Sequence, residues 1–200
     1  NTDDSPMLDG VFVAIDNDAV LQWNQSQWMR EVAAMRRLNL KFFVIPHLAR
    51  PTGTNVSRAC PLGTFESFFP LSAGQIACLH ARPGQAQLAA TRAIRAAVAH
   101  GMHVHLGLAS ARRYKEQMQL NYSDVLSRTY AAMQVAILHH LYALFHDDSG
   151  TLAGFYTEVE ESNFHSWKEH LPRLAANYLA PLAHAIKSLD NRLLAWASPY

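Results

Sequence analysis

Five short apolar runs, rich in β-branched and aromatic residues, alternate along this chain with four stretches of helical periodicity. The runs are GVFVAI (10–15), KFFVIP (41–46), MHVHLGL (102–108), TLAGFYTEV (151–159) and RLLAWASPY (192–200). Parallel strands need long connections, and strands apolar at both sets of alternate positions are buried on both faces. The pattern therefore predicts an α/β fold with a parallel sheet.

The intervening segments agree. Asn24 is placed to cap a helix whose Trp28, Val32, Met35 and Leu38 share a face. Residues 84–101 put Leu88, Thr91, Ile94, Ala97 and Val98 on one side and stop at Gly101. Residues 123–146 are strongly helical, and residues 167–188 are helical with a kink expected at Pro181. The connection 47–83 has little periodicity, and a loop of that length inside a domain is usually functional or disordered.

A doubly wound sheet and a (β/α) barrel both satisfy this order. Neither GxGxxG nor GxxxxGK[ST] follows the first run, which removes the commonest nucleotide-binding reasons to choose the open sheet. A TIM-type barrel is preferred, over one domain at 8–200 with a polar lead at 1–7. A complete barrel takes about 250 residues, whereas this chain has 200 and five strands. Five β/α units of a truncated or incomplete barrel are expected, with a protein partner as one way to complete it.

Half the residues are apolar, enough for a sizeable core. With 17 Lys and Arg against 16 Asp and Glu, the net charge of +1 offers no field for nucleic acid or anionic lipid, so a neutral ligand is expected. No 18-residue apolar run exists to span a membrane. Cys60 and Cys78 are the only cysteines. They fit a disulfide in an oxidising compartment, or two thiols of a cytosolic protein, and are too few for a cysteine zinc site.

GFYTEVEESNF (154–164) places three carboxylates within four residues after the fourth strand. Residues two apart share a strand face, so Tyr156, Glu158 and Glu160 point one way if the strand runs that far. In a TIM barrel the strand C-termini build the active site, and Asp16, Asp18 and His47 follow strands one and two at the same mouth. Tyr156, Asn163, Trp23, Trp196 and Tyr200 are candidate sugar contacts, with core packing as the alternative for each aromatic. His103 and His105 form an HxH pair of the kind metal hydrolases carry on a barrel strand. The last strand offers no further ligand, so no metal and no cofactor is expected. No GxSxG elbow supports acyl transfer.

Five segments together resemble a bacterial domain-of-unknown-function family of secreted or periplasmic proteins classed with the TIM-barrel glycoside hydrolases. LDGVFVAID is similar to its first strand, WNQSQWMREVAAMRRLNL to its Trp, Glu and Met helix, and FESFFPLS to its FYPS loop. HGMHVHLGL resembles HGMKVFLGL, and GFYTEVEESNFHSW with AWASPY resembles GWYLPYEIDNxNW with ISPYF. The resemblance covers about residues 8–200. It implies a TIM barrel, a carbohydrate ligand, a secreted or periplasmic location, and Glu160 as the matching carboxylate, with Glu158 as an extra. The reading is a glycoside hydrolase acting on a polysaccharide, with Glu160 as acid/base, Glu158 as a further catalytic candidate, Asp16 or Asp18 as partner or sugar contact, and His47 lining the cleft. The alternatives are a non-catalytic carbohydrate-binding or assembly module and, with less support, a metal-dependent hydrolase.

Overall fold

The computed structural model describes residues 9–52, 56–71, 76–110, 114, 122–146, 151–158 and 170–197, the side chains of Trp196 and Ala197 excepted. The main sheet has five parallel strands: β1 (Gly10–Phe12), β2 (Phe42–Ile45), β6 (His103–Gly107), β7 (Leu152–Thr157) and β8 (Leu194–Ala197), paired in that order. The order never reverses. A doubly wound sheet changes direction at a switch point, so this is the single winding of a (β/α) barrel, left open between β8 and β1 among the described residues.

Helices cover the outer face. After β1 come α1 (Asp18–Leu21), capped by Asn17, and α2 (Gln25–Arg37), where Asn24 and Gln27 form a reciprocal capping box. Trp28 and Val32 of α2 are fully buried, and the Trp28 ring meets Phe43 edge-on at 6.4 Å. Phe43 and Ile45 thus face the helices while Phe42 and Val44 face the barrel interior. Leu38, expected on the apolar face, lies past the last turn and is exposed.

A 3₁₀ turn (Gly84–Leu88) leads into α3 (Ala89–Ala99), whose small side chains let it pack closely. The longest helix, α4 (Asp124–Phe145), is capped by Ser123. Its buried Gln134 accepts from the Ala109 amide and donates to the Ala109 carbonyl, at 2.8 and 2.9 Å, satisfying the backbone where the chain leaves β6. Before β8, α5 (Leu171–Leu174) and α6 (Ala180–Leu189) are joined by a π turn (Ala175–Leu179). Pro181 has no N–H to give the preceding turn, and the expected interruption takes this form, with the Ala180 amide bonding back to Ala175. Gly154 on β7 lets the backbones close, because a Cβ there would run into the Leu194 carbonyl oxygen.

The connection 47–83 departs from expectation. It forms a second sheet, β3 (Ala49–Pro51), β4 (Phe65–Ser67) and β5 (Leu79–Ala81), with β3 and β4 antiparallel and β4 and β5 parallel. Strands of three residues are too short to carry a period, which is why the sequence shows none. Cys60 and Cys78 form a disulfide with Cα atoms 5.7 Å apart, tying together the approaches to β4 and β5. The amide of Leu48 bonds to Leu108 just past β6, and the Phe68 carbonyl receives the Ala90 amide, so this sheet is fastened to the end of β6 and to α3.

Candidate active site

The C-terminal ends of the parallel strands converge on one mouth. Asp16 follows β1, His47 lies two residues beyond β2, Ser110 three beyond β6, and Glu158 directly after β7. His47 Nδ1 stands 2.6 Å from Glu158 Oε1, and His47 Nε2 stands 3.0 Å from Asp16 Oδ2. One imidazole therefore bridges carboxylates from two different strand ends. Their side chains are 16%, 26% and 20% exposed for His47, Asp16 and Glu158, so solvent screens the contacts only partly.

The geometry sets the charges. Burial opposes a proton on His47, but the hydrogen bonds to Asp16 and Glu158, with their charges, raise its pKa to about 9. The ring is an imidazolium at neutral pH, donating from both nitrogens. The hydrogen bond to His47 holds the Asp16 carboxyl below the ordinary carboxylate range against burial, with Arg50 adding to the effect. Beneath Glu158, the rings of Tyr114, Tyr130 and Tyr178 stack with centroids 4.5 to 5.7 Å apart, and the Tyr178 hydroxyl pairs with Thr157 at the end of β7.

The second sheet forms one wall of the mouth. Arg50 Nε donates to Glu66 Oε1 at 2.7 Å, and Arg82 Nη1 reaches the same oxygen at 3.3 Å. Arg50 also donates to the Asp16 carbonyl, and Arg82 pairs with Asp18. Both guanidinium groups lie over the Phe68 ring, at 5.4 and 5.8 Å. Asp16, His47, Arg50, Pro51, Thr52, Glu66 and Ser110 line a cleft of about 580 Å³.

Of the residues singled out from sequence, Asp16, His47 and Glu158 come together, and Asp18 lies at the rim through Arg82. Tyr156 is buried on the inner face of β7, its ring edge-on to Phe12 at 5.5 Å. Trp23 packs against Trp28 at 4.9 Å, in the helix layer. Trp196 lies on β8, its backbone paired with Tyr156. Glu160, Asn163 and Tyr200 lie outside the described residues. β7 ends at Thr157, one residue before Glu158.

Arg50, Glu66, Arg82 and Ser110 were not anticipated. One signal was available: the connection 47–83 holds only four Arg, Lys, Asp or Glu residues, and three of them make this network. The HxH pair does not converge with other ligands. His103 is exposed at the start of β6, and His105 is fully buried, where burial and then the nearby His103 charge lower its pKa to about 4. Among the described residues no group of three or more His, Cys, Asp or Glu is arranged to hold a metal ion. Asp16 and Glu158 occupy opposite nitrogens of His47, so the three do not share one coordination point.

Residues 8–200 match a family described as a domain of unknown function, DUF4434. The chain belongs to this family. Two solved structures share its fold. One, a "putative alpha-L-fucosidase" from Bacteroides thetaiotaomicron VPI-5482, has a TM-score of 0.61 and 12% identity over 96% of this chain and 51% of its own. The other, an endo-1,4-beta-mannanase from Rhizomucor miehei, has a TM-score of 0.54 and 13% identity over 98% of this chain and 57% of its own. At such identities the likeness concerns the fold alone. This DUF4434 chain spans about half the length of each. A comparison with curated protein sequences finds no match. No helix among the described residues is long and apolar enough to cross a membrane.

Proposed function

We propose that this DUF4434 chain is a glycoside hydrolase acting on a polysaccharide at the C-terminal mouth of its barrel. The observation that carries the reading is the Asp16–His47–Glu158 bridge. It gathers two carboxylates from different strand ends at the mouth where a barrel of this kind builds its active site. Glu160 is assigned the acid/base role, and it follows by two residues a carboxylate anchored on His47. An extracytoplasmic setting fits the Cys60–Cys78 disulfide. In the whole protein, Glu160→Gln is expected to lower cleavage of a glycan substrate by about 10²–10⁴-fold while leaving binding in place. A wild-type protein inert on a broad glycan panel would sink the assignment.

A second reading has its own observation. Asp16 and Glu158 are engaged by His47, and Glu66 by two arginines, so each of these three is committed to a cation instead of facing a leaving group. If no residue outside them supplies that proton, the mouth binds carbohydrate without cleaving it. Saturable glycan binding in titration calorimetry with no product would favour this.

A further inference from the structure

The wall contributed by the second sheet has a composition that the bridge does not explain. Glu66 sits on β4 with one carboxylate oxygen, Oε1, shared between Arg50 and Arg82. Its other oxygen takes no hydrogen bond within the described structure, and neither does Arg50 Nη2. Both side chains line the cleft beside Asp16 and His47. A carboxylate oxygen next to a guanidinium N–H is an acceptor beside a donor, and a pair of adjacent hydroxyls on a sugar ring presents the complementary donor and acceptor. The wall is also stiff. Two guanidinium groups are fixed over the Phe68 ring, and the disulfide ties together the segments entering β4 and β5. A preorganised pair loses little freedom when a ligand docks.

The charges narrow the ligand further. Around the cleft and its rim, the carboxylates of Asp16, Asp18, Glu66 and Glu158 face the cations His47, Arg50 and Arg82. Every cation is already engaged by at least one carboxylate. Among the described residues there, an anionic sugar would meet four carboxylates against three cations, each already paired, and like charge at a partly buried site is strongly unfavourable. Besides Asp16, His47, Arg50 and Glu66, the described lining contributes Pro51, Thr52 and Ser110 and no aromatic ring, which favours recognition through hydrogen bonds over stacking.

We infer that Glu66 and Arg50 form a subsite that binds the vicinal hydroxyls of an uncharged sugar residue beside the Asp16–His47–Glu158 bridge, selecting neutral glycans over uronate-bearing ones. The inference rests on the carbohydrate reading of the mouth and adds its substrate class.

The test is calorimetric binding of two probe sets to the whole protein: neutral gluco-, manno-, galacto- and xylo-oligosaccharides, and oligogalacturonates with oligoglucuronates. Wild type is expected to bind at least one neutral set ten-fold or more tightly than either uronate set. Glu66→Gln is expected to weaken the neutral ligand about ten-fold and to strengthen uronate binding, because it leaves Arg50 and Arg82 without their shared carboxylate. A merely structural role for Glu66 would not produce that second change. Wild type preferring uronates, or Glu66→Gln binding neutral glycans unchanged, would overturn the subsite. The wild-type comparison decides the matter even if the variant does not fold. Neutral, Glu66-dependent binding without any product would uphold the subsite and remove only the hydrolytic assignment. Cleavage of a uronate substrate would do the reverse.

Discussion

His47 concentrates the consequences of the mouth in one ring, and its effect on stability has a definite sign. Its folded pKa of about 9 stands above the ordinary 6.5, so it binds its proton more tightly when the chain is folded. The stabilisation is fully present below about pH 6.5 and is lost as pH rises through 9. The size of the shift corresponds to about 3 kcal/mol at most, reduced by whatever screening the partly exposed ring allows. Asp16 works in the opposite direction: its lowered pKa stabilises above the ordinary 3.8 and fades as pH falls through the folded value. Thermal melts from pH 4 to 10 should show a plateau up to about 6.5 and then a decline. In His47→Gln that alkaline decline should flatten, while stability at pH 6 falls by about 2–3 kcal/mol, because the two carboxylates lose the cation that bridges them. An unchanged alkaline slope in the variant would mean that the bridge does not control it.

Among elements, the short second sheet depends most on a single covalent tie. The bond between Cys60 and Cys78 closes a segment with a sequence separation of 18, which in the chain-entropy account stabilises by about 3 kcal/mol. Cys60→Ser with Cys78→Ser is expected to lower the melting temperature by roughly 5–10 °C. It should also weaken glycan binding, because Glu66 lies on β4 and Arg82 directly after β5. Equal melting temperatures for the oxidised protein and one shown to have free thiols would refute this. The same sheet marks where sequence reading stops. The strands of the main sheet were legible from their apolar runs, and α2 from its Asn24 cap and its Trp28 and Val32 spacing, because both signals are local. β3, β4 and β5 have three residues each and no pattern to read. The site divides in the same way. Asp16, His47 and Glu158 were legible singly as polar residues at strand ends, but the contact joining His47 to Glu158 spans 111 positions. Only the pairing of β2 and β7 on either side of β6 brings them together.

On the scale of the whole molecule, the winding of the sheet poses a problem that packing must solve. Among the described residues β1 pairs only with β2, and β8 only with β7, so two strands present unpaired backbone edges. The inner face between them shows apolar side chains: Phe12 is 58% exposed and Leu194 45%. In a closed barrel both would lie in a filled interior, and exposed parallel edges flanking an apolar face invite pairing with other chains. A polypeptide limited to these 200 residues is therefore expected to self-associate at micromolar concentrations and to bind an apolar dye such as ANS. Sedimentation velocity across a concentration series measures the first, and fluorescence enhancement the second. Phe12→Ser should reduce dye binding without altering the Asp16–His47–Glu158 bridge, since Phe12 contacts Tyr156 rather than any member of it. A monomer at all concentrations that leaves the dye dark would mean that residues outside the described ones already cover the face. The mouth would then be complete within this chain, and Glu160's partner would be sought between Asn1 and Tyr200.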